Sequence, residues 1–147
     1  MRQEREKATS SDVKAALLDG FISDQEYAEM KQRYTACLEV AGIAVTKYGF
    51  EGAVLDPPST LPSDEVHRTE ARCSGESGEF PIAYFYVQMR VNPSHNDLAP
   101  AIVECFKRSG VVGPSYGLKD YRSGDLPSTD QPAVTACNTD PEGRLGR

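Results

Sequence analysis

Apolar residues recur at steps of three and four along two stretches of this chain, and each stretch stops at a glycine. In the first, Tyr27, Met30, Tyr34, Cys37, Leu38 and Ala41 fall on one face, the spacing of an amphipathic helix. Ser23 and Glu26 open it as an S-x-x-E capping box, in which each side chain satisfies an amide that the helix leaves unpaired. Gly42 ends it. In the second, Leu98, Ala101, Ile102, Cys105 and Phe106 line a helix predicted from about Asn96 to Ser109 and ended by Gly110. Pro100 is tolerated there because it lies in the first turn. A shorter helix is predicted from Ser11 to about Asp19, capped by Ser10 or Ser11. It shows an apolar face of Val13, Ala16, Leu17 and Leu18 and stops at Gly20. With the helix opened by Ser23 it makes an N-terminal helical hairpin.

Between these helices the pattern is less regular. Ile43 to Val45 and Tyr48 to Phe50 predict a short strand or hairpin. Residues 55–65 hold three prolines and read as loop, 66–73 is ambiguous, and 74–78 (SGESG) reads as a turn. The most apolar run, Pro81 to Val91, is β-branched and aromatic like a strand. Its position between turns, with Pro81 as a first helical residue, also permits a helix. From Val111 onward Gly, Pro, Ser and Asp dominate, and a few short extended pieces are expected. The fold class that follows is α+β: a small helix-dominated domain with short β pieces. Its single body covers 11–137, flanked by flexible segments at 1–10 and 138–147.

The helices that carry Cys37 and Cys105 introduce similar text. CLEVAGIAVTKYGFEG from Cys37 aligns without gaps on CFKRSGVVGPSYGLKD from Cys105, matching Cys37/Cys105, Gly42/Gly110, Tyr48/Tyr116 and Gly49/Gly117. A one-residue shift then matches Pro58-Ser59-Thr60 to Pro127-Ser128-Thr129, and each copy closes on a second cysteine. This predicts an internal repeat of 23–73 and 96–137.

The cysteines change the picture most. Cys37, Cys73, Cys105 and Cys137 are even in number, spaced by 36, 32 and 32 residues, and include no C-x-x-C. That pattern argues for structural disulfides and against zinc or thioredoxin-like redox chemistry, and disulfides persist outside the reducing cytosol. Four unpaired thiols in a cytosolic protein are the competing reading. Of the three pairings that four cysteines allow, the repeat favours Cys37–Cys73 and Cys105–Cys137. The apolar share is only 39% with no Trp, so covalent help would be useful to a thin core. The net charge of −6 repels phosphate backbones and argues against nucleic acid. The charged opening MRQEREK holds no signal peptide. Either the protein is cytoplasmic, or an export signal has been removed ahead of Met1.

The segment LLDGFISDQEYAEMKQRYTACLEVAGIAV resembles a group of exported proteins and lipoproteins of actinobacteria. Their shared pattern is a D-G-x-(I/V)-(S/T)-x-x-E-Y turn followed by a helix carrying (Y/F)-x-x-C-(L/M)-x-x-(A/S)-G. IVECFKRSGVV resembles their second cysteine helix, and YFYVQMRVNP the helical stretch before it. The resemblance covers roughly residues 16–112 and carries no assigned activity. It implies export and a mixed helical fold, and it favours helix over strand for 81–91. A lipid anchor would need a cysteine upstream of this chain.

Candidate chemistry is sparse. Asp19-Gly20-Phe21-Ile22-Ser23-x-x-Glu26 is similar to the end of a calcium loop. Its first two ligand positions would be Ala15 and Leu17, which offer no side-chain oxygen. His67 and His95 lack any motif that would pair them with a nucleophile. Asp64, Glu65 and Glu70, or Asp120 and Asp125, are acid/base candidates for a secreted hydrolase, with little specificity in an acidic chain. Tyr48, Tyr116 and Tyr121, with Tyr84 and Tyr86, are candidate contact residues because Tyr suits interfaces. Filling a Trp-free core is the alternative for all five. No metal and no cofactor is expected. The favoured function is a non-enzymatic extracytoplasmic, envelope-associated binding or scaffold protein. Its partner would be an unidentified ligand or envelope protein, and it would meet the membrane only through an upstream lipid anchor. The oligomeric state stays open.

Overall fold

A computed structural model describes residues 1–145. It is helix-dominated with one small antiparallel sheet and two disulfides, an α+β domain architecture. The chain divides into two compact units, Met1–Tyr86 and Val87–Arg147.

The first unit opens with α1 (Arg2–Lys7) and α2 (Ser11–Ala16), continues with α3 (Asp24–Val40), and adds strands β1 (Ala44–Gly49) and β2 (Gly52–Asp56). Helix α4 (Ser63–Ser77) follows, then α5 (Glu79–Val91), which runs on into the second unit. Helix α1 buries no residue. The capping box forms as the residue types require: Ser23 N donates to Glu26 Oε2 at 2.8 Å, and Glu26 N donates to Ser23 Oγ at 3.2 Å. Gly42 ends α3 at φ +76°, and Ile43 N reaches back to the Leu38 carbonyl at 3.0 Å, a closure open to a residue that adopts left-handed backbone. That turn drives Ile43 into the core, where it is fully buried with Tyr34, Leu38 and Cys73. Val45, Tyr48, Ala53, Leu55, Leu61 and Val66 pack around them.

Three sequence expectations need correction in this unit. The proline-rich loop is shorter than 55–65, because Leu55 and Asp56 complete β2 and α4 already begins at Ser63. Pro62 occupies the N-cap of α4, where a missing N–H costs nothing. The turn predicted at 74–78 is helix up to Ser77, with Gly75 inside it. Ser77 Oγ bonds back to the Cys73 carbonyl at 2.7 Å, and only Gly78, at φ +72°, stops the helix. The α2 helix is also shorter than expected, ending at Ala16 rather than Asp19. The run from Pro81 to Val91 is helical throughout. Pro81 sits in the first turn of α5, where its ring disturbs no hydrogen bond.

The second unit holds α6 (Ala99–Arg108), α7 (Leu118–Arg122) and α8 (Pro132–Thr139). Ile102, Cys105, Phe106, Val134 and Cys137 form its core, with Leu98, Val111, Val112, Tyr116 and Tyr121 packed against them. The extended pieces expected after Val111 are replaced by two short helices. Asp120 starts α7 by accepting from Gly117 N at 2.8 Å, and Pro132 pre-sets the first residue of α8. Of the tail predicted at 138–147, residues 138 and 139 belong to α8. Pro141 is buried with its carbonyl accepting from Arg108 Nη2 at 2.9 Å, and Asp140 accepts from Arg144 N and Leu145 N. The last two positions lie outside the described residues.

Candidate functional site

Cys37 projects from α3 towards Cys73 on α4, and Cys105 from α6 towards Cys137 on α8. Each pair is disulfide-bonded with Cα atoms 5.6 Å apart. No free cysteine remains among the described residues. The second bridge lies within the core of its unit, and the first joins core Cys73 to Cys37 at the core's edge, so the four cysteines are bonded and supply no nucleophile in this state.

The tyrosines divide sharply by role. Tyr48, on β1, donates its hydroxyl to Glu79 Oε1 at 2.9 Å, while Glu79 Oε2 accepts from Ser74 Oγ at 3.0 Å. Its ring meets Tyr27 and Tyr34 edge-on at 6.3 and 6.0 Å, and Lys31 Nζ lies 5.2 Å from its centroid. Burial, then the Glu79 carboxylate, pushes the Tyr48 phenol far above its ordinary range. Burial also pushes Tyr34 up to about 12, with Glu70 and Glu79 adding to it. Tyr116 donates to the Asp125 carbonyl. Its phenol is raised by desolvation, then by the carboxylates of Asp125 and Asp120. Tyr121 packs 6.3 Å from the Phe106 ring. The rings of Tyr48, Tyr116 and Tyr121 are therefore half-buried and lie against the two cores, Tyr48 in the first unit and the other two in the second. Tyr86 is buried and stacks on Tyr27 with centroids 4.0 Å apart.

The aromatic surface lies elsewhere. Phe80 and Tyr84, one turn apart on α5, are 63% and 49% exposed and stack with centroids 5.9 Å apart. Sequence reasoning named Tyr84 and passed over Phe80. Their spacing of four puts two rings side by side only on a helix, and the segment was open between helix and strand.

The remaining candidates are engaged locally or solvated. Asp19 Oδ1 accepts from Phe21 N at 2.9 Å, and Glu26 is committed to the capping box, so the calcium-loop likeness is a helix-turn-helix corner. Among the described residues no group of three or more His, Cys, Asp or Glu converges on a metal position. Asp64 pairs with Arg68 at 3.1 Å, and His67 Nδ1 lies 3.9 Å from Glu70, both on the open side of α4. Asp120 caps α7, and His95 is exposed in a tight turn at φ +53°. No helix among the described residues is long and apolar enough to cross a membrane. No family model, no curated protein and no solved structure matches the chain, so its own residues carry the functional reading.

Proposed function

We propose that this chain is a non-enzymatic, extracytoplasmic binding or scaffold protein associated with the cell envelope. The observation that carries the proposal is the pairing of all four cysteines as two disulfides, since such bridges last in oxidising compartments. The net charge of −6 fits a soluble surface, and the Phe80–Tyr84 pair offers a rigid aromatic contact of the kind interfaces use. The internal duplication belongs to the same proposal. It is supported by matching helix ends, where Val111 N reaches the Phe106 carbonyl at 3.0 Å as Ile43 N reaches Leu38.

The test uses protein recovered from the cells that make it, alkylated with and without prior reduction and weighed intact. A membrane-impermeant amine reagent is applied in parallel to intact cells. The proposal expects four cysteines that resist alkylation until reduced, and lysines labelled before lysis. Four thiols alkylated without reduction, or lysines labelled only after lysis, would overturn it.

A further inference from the structure

The two bridges differ in how their sulfurs meet solvent. Cys73, Cys105 and Cys137 are 0%, 6% and 1% exposed, whereas Cys37 is half-buried. Its Sγ lies 3.8 Å from the carboxylate of Glu76, an exposed residue paired with Arg72. The second bridge lies in one buried cluster with Ile102, Phe106 and Val134, and Cys137 Sγ has Ser109 Oγ at 3.6 Å. The helices that the bridges tether also differ. Helix α4 buries only Cys73 and Ser77 over fifteen residues, while α8 adds Val134 to Cys137, and the chain just beyond it anchors Pro141. Apart from its covalent link, α4 meets the core through the partly buried Val66 and has no fully buried apolar residue besides Cys73, and a segment with few buried apolar contacts opens locally at low cost.

We propose that Cys37–Cys73 is a redox-sensitive latch. A dithiol reductant opens it through Cys37 in the folded protein and frees residues 63–73 from α3, while Cys105–Cys137 stays closed until its own unit unfolds. The attack is in two steps. One thiolate of the reductant bonds to Cys37 Sγ, the Sγ–Sγ bond breaks, and Cys73 leaves as a thiolate that takes up a proton. The reductant's second thiolate then attacks its own sulfur in the mixed disulfide, and Cys37 leaves and is protonated. The protein gains two electrons and two protons, and the dithiol becomes a disulfide. Cys73, fully buried, offers no alternative point of attack. The latch rests on the exposure of Cys37 and the shallow anchoring of α4, and holds in whatever compartment the chain occupies.

The experiment exposes the native chain to dithiothreitol, quenches aliquots with iodoacetamide and maps the modified cysteines by mass. The Cys37–Cys73 bridge should open on the order of tenfold faster than Cys105–Cys137, and any trapped mixed disulfide should carry the reductant on Cys37 with Cys73 as the free thiol. In the singly reduced species, hydrogen exchange should rise over residues 63–73 and stay unchanged over α6 and α8. Glu76→Gln, at an exposed position, tests the point of attack. It should speed opening by the anionic thiol mercaptoethanesulfonate about two- to threefold relative to the cationic thiol cysteamine, by removing a charge beside the sulfur. Two bridges opening at one rate, the second opening first, unchanged exchange over 63–73, or no charge discrimination in Glu76→Gln would each overturn the latch.

Discussion

Between Cys37 and Cys73 the chain builds a β-hairpin and the larger part of a fifteen-residue helix; between Cys105 and Cys137 it builds turns, a five-residue helix and most of a shorter cysteine helix. The beginnings of the two stretches agree closely. Each starts from a cysteine near the end of an amphipathic helix, breaks at a left-handed glycine, and turns an apolar residue back inward beside a half-buried tyrosine. The middles do not agree. The first unit fills the span with Val45, Ala53 and Leu55 from paired strands, the second with Val112 and Tyr121 from turns and α7. A helix end and a covalent staple thus set where the chain returns, and leave open how the intervening residues cover the staple.

Removing the staples tests this most severely. Replacing Cys105 and Cys137 with Ser should cost about 4 kcal/mol in the chain-entropy account, a large part of the roughly 5–15 kcal/mol typical of a domain. Loss of helical exchange protection confined to 99–139 would show it. The Cys37→Ser, Cys73→Ser pair should cost a similar amount in urea melts yet retain the hairpin, because Tyr34, Leu38 and Ile43 remain packed. Collapse of the hairpin as well would break the comparison.

Glycine substitutions sharpen it. Gly42→Ala and Gly110→Ala, both in open space at left-handed φ, should each cost about 1–2 kcal/mol and match one another. Gly78→Ala should cost more, about 2–4 kcal/mol, because its Cβ would meet the buried Val13 methyls at 2.6 and 2.7 Å as well as strain the backbone. The aligned tyrosines should differ less. Tyr48→Phe removes a bond to a carboxylate and should lose about 1–2 kcal/mol. Tyr116→Phe frees a carbonyl that water reaches and should lose about 0.5–1 kcal/mol. Urea midpoints read both.

Alkaline pH gives the smallest effect under ordinary conditions. An unfolded Tyr ionises near about pH 10, whereas Tyr34 in the fold ionises at about 12. Below the first value both states are protonated and stability has no slope from this group. As pH rises between the two, the unfolded chain sheds a proton that the native chain keeps, so stability falls. Urea midpoints followed through that window should decline, tyrosinate absorbance in the native protein should lag that of the unfolded protein, and Tyr34→Phe should lessen the decline while leaving the part that Tyr48, also raised, contributes.

The parts legible in the sequence were those governed by neighbours in the chain. The capping box of Ser23 and Glu26, the stops at Gly42 and Gly110, and the apolar faces of α3 and α6 each follow from residues within one or two turns. The pairing of cysteines was reachable because the similar text after Cys37 and Cys105 favoured one of the three connectivities. The elements that escaped had weak local signals. Helix α4 carries Gly75 and several Ser residues, which favour turns when alone; it is helical with Cys73 anchored in the core and Ser77 bonded back along the backbone. Helices α7 and α8 are too short for periodicity to declare them. The tyrosine candidates could be named from residue type, but whether a ring faces solvent depends on what approaches it, as the contrast between Tyr48 and Tyr84 shows.

By itself, the sequence determined an acidic chain with capped amphipathic helices, glycine stops and four cysteines in two helix contexts, because those properties are local or compositional. Only the tertiary structure decided that 81–91 is helix, that α4 extends to Ser77, and that Phe80 is exposed while Tyr48 and Tyr86 turn inward. It also decided that one disulfide meets solvent at Cys37 while the other is enclosed. The physical reason is common to all four: burial and partner choice depend on segments far apart along the chain, and no window of neighbouring residues records which surfaces they will cover.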